Sequence, residues 1–238
     1  MFFVVKKCRI YAACGVSQTP KFLKKREGNK KMKNGLMPQA MWRCFQGSFM
    51  REMYRMSKEN PRKVMAKARK CYQNILVDIP EFEKGDPFLT NILSAAMLAS
   101  VYLELEEKPN LEQVTDFYHH AMTNNMIMKC FLKLGSKYTP KAQAKLKRQG
   151  EESVRRSERN PYTWCFRYET GRNINCYSAI FTHCGILYLL KLLDIPEICP
   201  AMCTYDYDMA ELSGSTFIRK FTLAGGEPCC DCHWTRKS

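Results

Sequence analysis

Residues 199–234 read CPAMCTYDYDMAELSGSTFIRKFTLAGGEPCCDCHW, and their reading decides the fold. The second half of the stretch has a strand pattern. In TFIRKFTL (216–223) Phe217, Arg219 and Phe221 alternate with Ile218, Lys220 and Thr222. Gly225, Gly226 and Pro228 make a turn, and residues 229–234 read as a further strand returning antiparallel. Upstream, YTWCFRYET (162–170) alternates Trp164, Phe166 and Tyr168 against Thr163, Cys165 and Arg167, a first strand. Between them, residues 173–193 carry Ile180, Cys184, Leu187 and Leu190 at helical spacing, and 195–200, with two prolines, read as a turn.

From Met41 to residue 159 the pattern is helical. Trp42, Phe45, Phe49, Met53 and Met56 form a stripe at spacings of three and four, which reads as core more readily than as a membrane-surface face. Asn60-Pro61 opens a second helix. Residues 88–105, with Ser94, Ala95, Ala96, Ala99 and Ser100 for close packing, read as the buried central helix. Asn110 and Gln113 have the spacing of a capping box for a helix running to Gly135, and 139–159 form a charged surface helix. Helices first and strands last predict an α+β fold: an N-terminal bundle of about five helices, then a small antiparallel sheet of about three strands with one helix on it.

The charge is divided. Residues 1–70 hold nineteen Lys and Arg against three acids, and the remainder nineteen against twenty. Residues 1–40 therefore read as a basic, unstructured extension, and 41–238 as a single domain. Such an arm can bind an acidic surface, but a solvated extension is the plainer reading, so nucleic acid is not an expected partner. MFFVV is followed at once by Lys6 and Lys7, the reverse of a secretory signal, and no later apolar run is long enough to span a membrane. A cytoplasmic protein is expected, with its thirteen cysteines as free thiols.

Five of those cysteines lie in 199–234, among Asp206, Asp208, Asp231 and His233. Three readings are open. A zinc site could draw on Cys199, Cys203, Cys229, Cys230, Cys232 and His233, but the knuckle spacing is missing, and a strand sends Cys230 and Cys232 to one face and Cys229, Asp231 and His233 to the other. No metal or other cofactor is expected. The cysteines can simply pack as small hydrophobes. Or they are catalytic. His119 and His120, adjacent on a helix, point about 100° apart and do not share one face.

Three runs carry a resemblance: Cys203-Thr-Tyr-Asp206, then Arg219-Lys-Phe-Thr222-Leu223-Ala224-Gly225, then Cys230-Asp231. In this order, and with the helical part upstream, residues 60–234 resemble the L-2-amino-thiazoline-4-carboxylic acid hydrolase family. That family usually ends Cys-Asp-Phe-Arg-Phe; here the run is Cys230-Asp231-Cys232-His233-Trp234, without the arginine. The resemblance implies a hydrolase that opens a cyclic amidine, a thiazoline, to a carbamoyl-cysteine, with a small molecule as its partner. An amidinium carbon is electrophilic, and a carboxylate pairs with its two N–H groups. On this basis Cys203 or Cys230 is the nucleophile or a polar wall of the pocket. Asp206 binds the amidinium or acts as base, and Asp231 is the second carboxylate. Arg219 meets a substrate carboxylate, and His183, facing out from the helix before the tail, supplies a proton. The alternative is a non-enzymatic small-ligand module with a basic arm.

Overall fold

Helix α3 (Leu89–Glu104) is the axis of the core, with every residue from 92 to 102 buried. Its small side chains let α2 (Pro61–Asp78) lie close along it. Two buried hydroxyls on α3 are satisfied locally: Ser100 Oγ donates to Met97 O at 2.8 Å, and Ser94 Oγ pairs with the Tyr118 hydroxyl at 2.8 Å. This computed structural model describes residues 36–133 and 137–237. The basic segment of 1–40 lies, up to residue 35, outside the described residues; α1 (Leu36–Glu52) starts directly after it.

The stripe on α1 is core. Trp42, Phe45, Phe49, Met53 and Met56 are all buried, and Phe49 meets Phe117 edge to face at 5.1 Å. The Asn60 carboxamide caps α2 by accepting from Arg62 N and Lys63 N. The capping box at Asn110 and Gln113 opens α4 (Leu111–Thr123). Where one helix to Gly135 is expected, the chain breaks at Asn124-Asn125 and restarts as α5 (Met126–Lys133). Asn125 explains the break. Its side-chain N–H groups are drawn to Cys44 O and Ser48 Oγ in the core, while its Oδ1 accepts from Met128 N and caps α5. Helix α6 (Pro140–Arg159), charged on most of its surface, lies on the first strand, β1 (Cys165–Thr170).

The sheet has four strands where three are expected. Residues 173–193 are not one helix. Cys176–His183 is strand β2, and only Gly185–Leu192 is helical, as α7. In β2, Tyr177 and Ala179 point inward and alternate with less buried neighbours; β1 on one side and the last strand on the other supply ladder bonds that outweigh the helical spacing. A second difference follows. Residues 199–212 are a helix, α8 (Cys199–Leu212), with Pro200 in its first turn, so Cys203 and Asp206 sit on a helix and not on a turn. Strand β3 (Ser215–Ile218) is shorter than its pattern predicts, and β4 (Cys230–Arg236) pairs with both β2 and β3. The order is β1-β2-β4-β3, antiparallel throughout.

Helix α8 joins the two halves. Cys199, Ala201, Met202 and Tyr205 face the helical core. Ala210 meets Phe217, Cys230 and Cys232 on the sheet. The strand alternation holds in β4, where Cys230 and Cys232 are the buried face. Among the described residues no helix is long and apolar enough to cross a membrane.

Candidate functional site

Asp206 and Asp208 are two residues apart on α8, which places them about 200° apart around the helix. They therefore serve two different surroundings. Asp208 faces α4, where its Oδ2 lies 2.7 Å from His119 Nδ1. That pair borders an open cleft of about 430 Å³, also lined by Glu112, Thr115, Asp116 and Thr204. Asp206 faces the exit of β3.

There the Arg219 guanidinium donates from Nη1 to Asp206 Oδ2 at 2.6 Å and from Nη2 to Cys203 O at 2.7 Å. The guanidinium also stacks near Phe217 and Tyr207, with centroids at 5.2 and 5.7 Å. Its side chain is 5% exposed, so Arg219 is neither a solvent-facing strand residue nor open to bulk water; it ties the end of β3 to α8. Asp206 differs: 34% of its side chain stays accessible to solvent. Burial raises its pKa from the ordinary carboxylate value, against the opposing pull of Arg219 and Lys137.

The thiols divide by environment. Cys230 is pushed up to about 12 by burial, and its sulfur accepts from Leu223 N at 3.2 Å. Cys232 is likewise raised by burial. Cys203, half-buried, lies one helical turn from Asp206 and within electrostatic reach of Arg219 and Cys230. Thus Cys203, Asp206, Arg219 and Cys230 come together.

Asp231 and His183 are placed elsewhere. The Asp231 Oδ1 accepts from Lys220 N at 2.9 Å and Phe221 N at 2.6 Å. This bond ends the β3 ladder at Ile218, and the Thr222 hydroxyl then caps a short 3-10 turn. His233 sits beside Asp231 at 3.7 Å and pairs with Ser178 Oγ at 2.7 Å. His183 is not on a helix but ends β2, half-buried, with Nε2–H donating to Pro161 O at 2.8 Å. Burial lowers its pKa, and the Pro161 bond only partly offsets this.

A pH dependence follows from His183. Its folded pKa lies below the unfolded value of about 6.5, so the neutral form is the one the fold accepts. Its contribution is unchanged above that pH and becomes destabilising as pH falls through it. The urea midpoint of the protein is expected to drop between pH 7.5 and pH 5, and His183→Gln, which keeps a donor for Pro161 O, to drop less.

Among the described residues no three of His, Cys, Asp and Glu are arranged to hold a metal ion. The group that the strand-and-helix patterns alone do not single out is Ser178, placed by the surrounding spacing on a helix. The signal present in the sequence is the alternation of Tyr177, Ala179 and Phe181 around it.

Fold and site together define an α+β protein in which thiols and a partly open carboxylate gather where one helix meets the last two strands. The chain belongs to the L-2-amino-thiazoline-4-carboxylic acid hydrolase family, whose model matches residues 90–234, more than half of its length. No curated protein and no solved structure matches it.

Proposed function

We propose that the protein hydrolyses a small cyclic amidine, a thiazoline-carboxylate-like ring, to a carbamoyl amino acid. Family membership supports the reaction class. The observation that carries the reading is Asp206, partly open to solvent and fixed by the Arg219 guanidinium at 2.6 Å. A carboxylate so placed offers its Oδ1, and the remaining lone pair of the Oδ2 that Arg219 holds, to the paired N–H groups of an amidinium. Its raised pKa brings the carboxyl nearer to the range where it can pass protons. Cys203 and Cys230 form the walls beside it. Arg219 acts by orienting Asp206, and Asp231 by holding the 220–221 turn that carries Arg219's strand end.

The test is turnover of 2-amino-thiazoline-4-carboxylate and a panel of cyclic amidines and lactams, read by mass as the gain of one water. Asp206→Asn is expected to lower kcat/KM by about 10²–10⁴-fold while the variant still melts cooperatively. Cys203→Ala is expected to raise KM. Full activity in both variants would remove these roles.

A further inference from the structure

The sheet has an open face. Helix α8 lies on the opposite side, where Ala210 meets Phe217, Cys230 and Cys232. Strand alternation and register assign the open face row by row. Glu169, Ser178, His233 and Ile218 lie opposite one another across β1, β2, β4 and β3. Arg167, Ile180 and Asp231 make the next row. Ile218 is 57% exposed and the His233 side chain 44%, so these rows stand against solvent.

Three of these residues form a chain of contacts. Ser178 Oγ lies 2.7 Å from His233 Nδ1, and His233 Nε2 lies 3.7 Å from Asp231 Oδ2. Asp231 is fixed in place, because its Oδ1 accepts from Lys220 N and Phe221 N. At 3.7 Å the link from Asp231 to the imidazole is charge attraction rather than a hydrogen bond. A carboxylate on that side favours a proton on Nε2, which leaves the Nδ1 lone pair to accept from the Ser178 hydroxyl. The ring nitrogens are exchanged relative to the usual serine triad, but hydroxyl, base and carboxylate stand in the same order. Other serines of the chain are spent locally: Ser100, Ser157 and Ser213 each donate to a carbonyl of their own helix. Ser178 instead meets a base. Arg167, whose guanidinium donates to the Glu169 carboxylate opposite Ser178, brings a cation to the same rows.

We propose that Ser178, His233 and Asp231 form a catalytic site on the open face, with Ser178 Oγ as the nucleophile for acyl transfer from aryl esters. This goes beyond the amidine hydrolysis proposed above and does not rest on it. Ser178 Oγ forms a C–O bond to the ester carbonyl carbon as its proton passes to His233 Nδ1. The carbonyl electron pair moves onto its oxygen, and Arg167 is the cation on that face to meet it. The bond to the aryloxide then breaks, and the aryloxide leaves with the bonding pair and takes the proton from Nδ1. Water adds to the acyl-serine and gives a proton to Nδ1. Ser178 Oγ departs with its electron pair and takes that proton back. The sum is ester plus water to carboxylic acid plus phenol. An open face encloses little of a substrate, so little binding energy is available to expel a poor leaving group. This selects aryl esters over amides and alkyl esters.

The experiment uses the full chain, a fluorophosphonate probe and peptide mapping. Ser178 is expected to be phosphonylated at least about 100-fold faster than Ser213, an exposed serine whose hydroxyl donates to Ala210 O. Labelling of Ser178 should fall at least about 100-fold in His233→Gln, which keeps a polar partner for the hydroxyl but no base. It should fall about tenfold in Asp231→Asn, which keeps an acceptor for Lys220 N and Phe221 N and removes only the charge. Both variants should keep the melting temperature. Acid quench of the wild type with p-nitrophenyl acetate should show Ser178 carrying one acetyl group. Labelling of Ser178 no faster than that of Ser213, or a rate unchanged in either variant, overturns the proposal.

Discussion

Arg219→Ala is expected to destabilise the protein by about 3 kcal/mol, the lower end of the range for removing one partner of a buried ion pair. The lower end applies because Asp206 is still one-third open to solvent. The loss has three parts: the Asp206 carboxylate is left without its nearest cation, Cys203 O without its donor, and the aromatic groove of Phe217 and Tyr207 without its filling. Contrast the exposed Arg155, whose two bonds to Glu83 are just as short, at 2.8 and 2.6 Å. Both side chains of that pair are more than a third exposed, and replacing Arg155 should leave the urea midpoint nearly unchanged. Urea midpoints of the two variants decide the matter. Arg219→Lys should recover only part, since an ammonium cannot present two parallel donors to Asp206 and Cys203 O. Equal, small losses at 219 and 155 would show that the buried pair does not hold the sheet to α8.

Gly185→Ala is expected to cost about 3 kcal/mol or more, at the upper end of overpacking effects, because the obstruction is backbone. The added methyl would overlap Tyr162 O at 2.0 Å and Thr163 O at 2.9 Å, neither of which can rotate away. The 162–163 segment must move, and Cys184 with it. Gly47→Ala is the control. It lies inside α1, its nearest neighbour is the flexible end of Arg51 at 3.8 Å, and it should stabilise by about 0.5–1 kcal/mol. Thermal melts of the pair separate a packing effect from a general glycine effect. A Gly185→Ala variant as stable as wild type would mean that β2 and α7 tolerate sliding past Tyr162.

Much of this architecture was legible because its signals were redundant. The α1 stripe, the Asn110–Gln113 box and the small residues of α3 each say helix in more than one way, and each is found so. Strand β2 was not, because Ile180, Cys184 and Leu187 also satisfy a helical period; the alternation of Tyr177, Ala179 and Phe181 acquires meaning only once β4 lies beside it. Proline at 200 reads equally as a turn or as a helix start. At the site, residue types were readable and partnerships were not. Arg219 and Asp206 are thirteen residues apart, and nothing local says that they will spend their charge on one another. Asp231 resembles a reactive carboxylate until its two backbone donors are seen.

The order β1-β2-β4-β3 sets a sequence of events during synthesis. The hairpin of β1 and β2 can close as soon as residue 183 is free, but one edge of β2 then has no neighbour until β4 is made, nearly fifty residues later. Through that interval a row of unpaired N–H and C=O groups is open to any passing strand. β3 cannot cover it, since β3 pairs only with β4. Arrival of β4 fills the gap and docks β3 in one act, bringing Cys230 and Arg219 to α8 together. The nascent chain is thus most exposed to misassembly in the stage just before its reactive groups first meet.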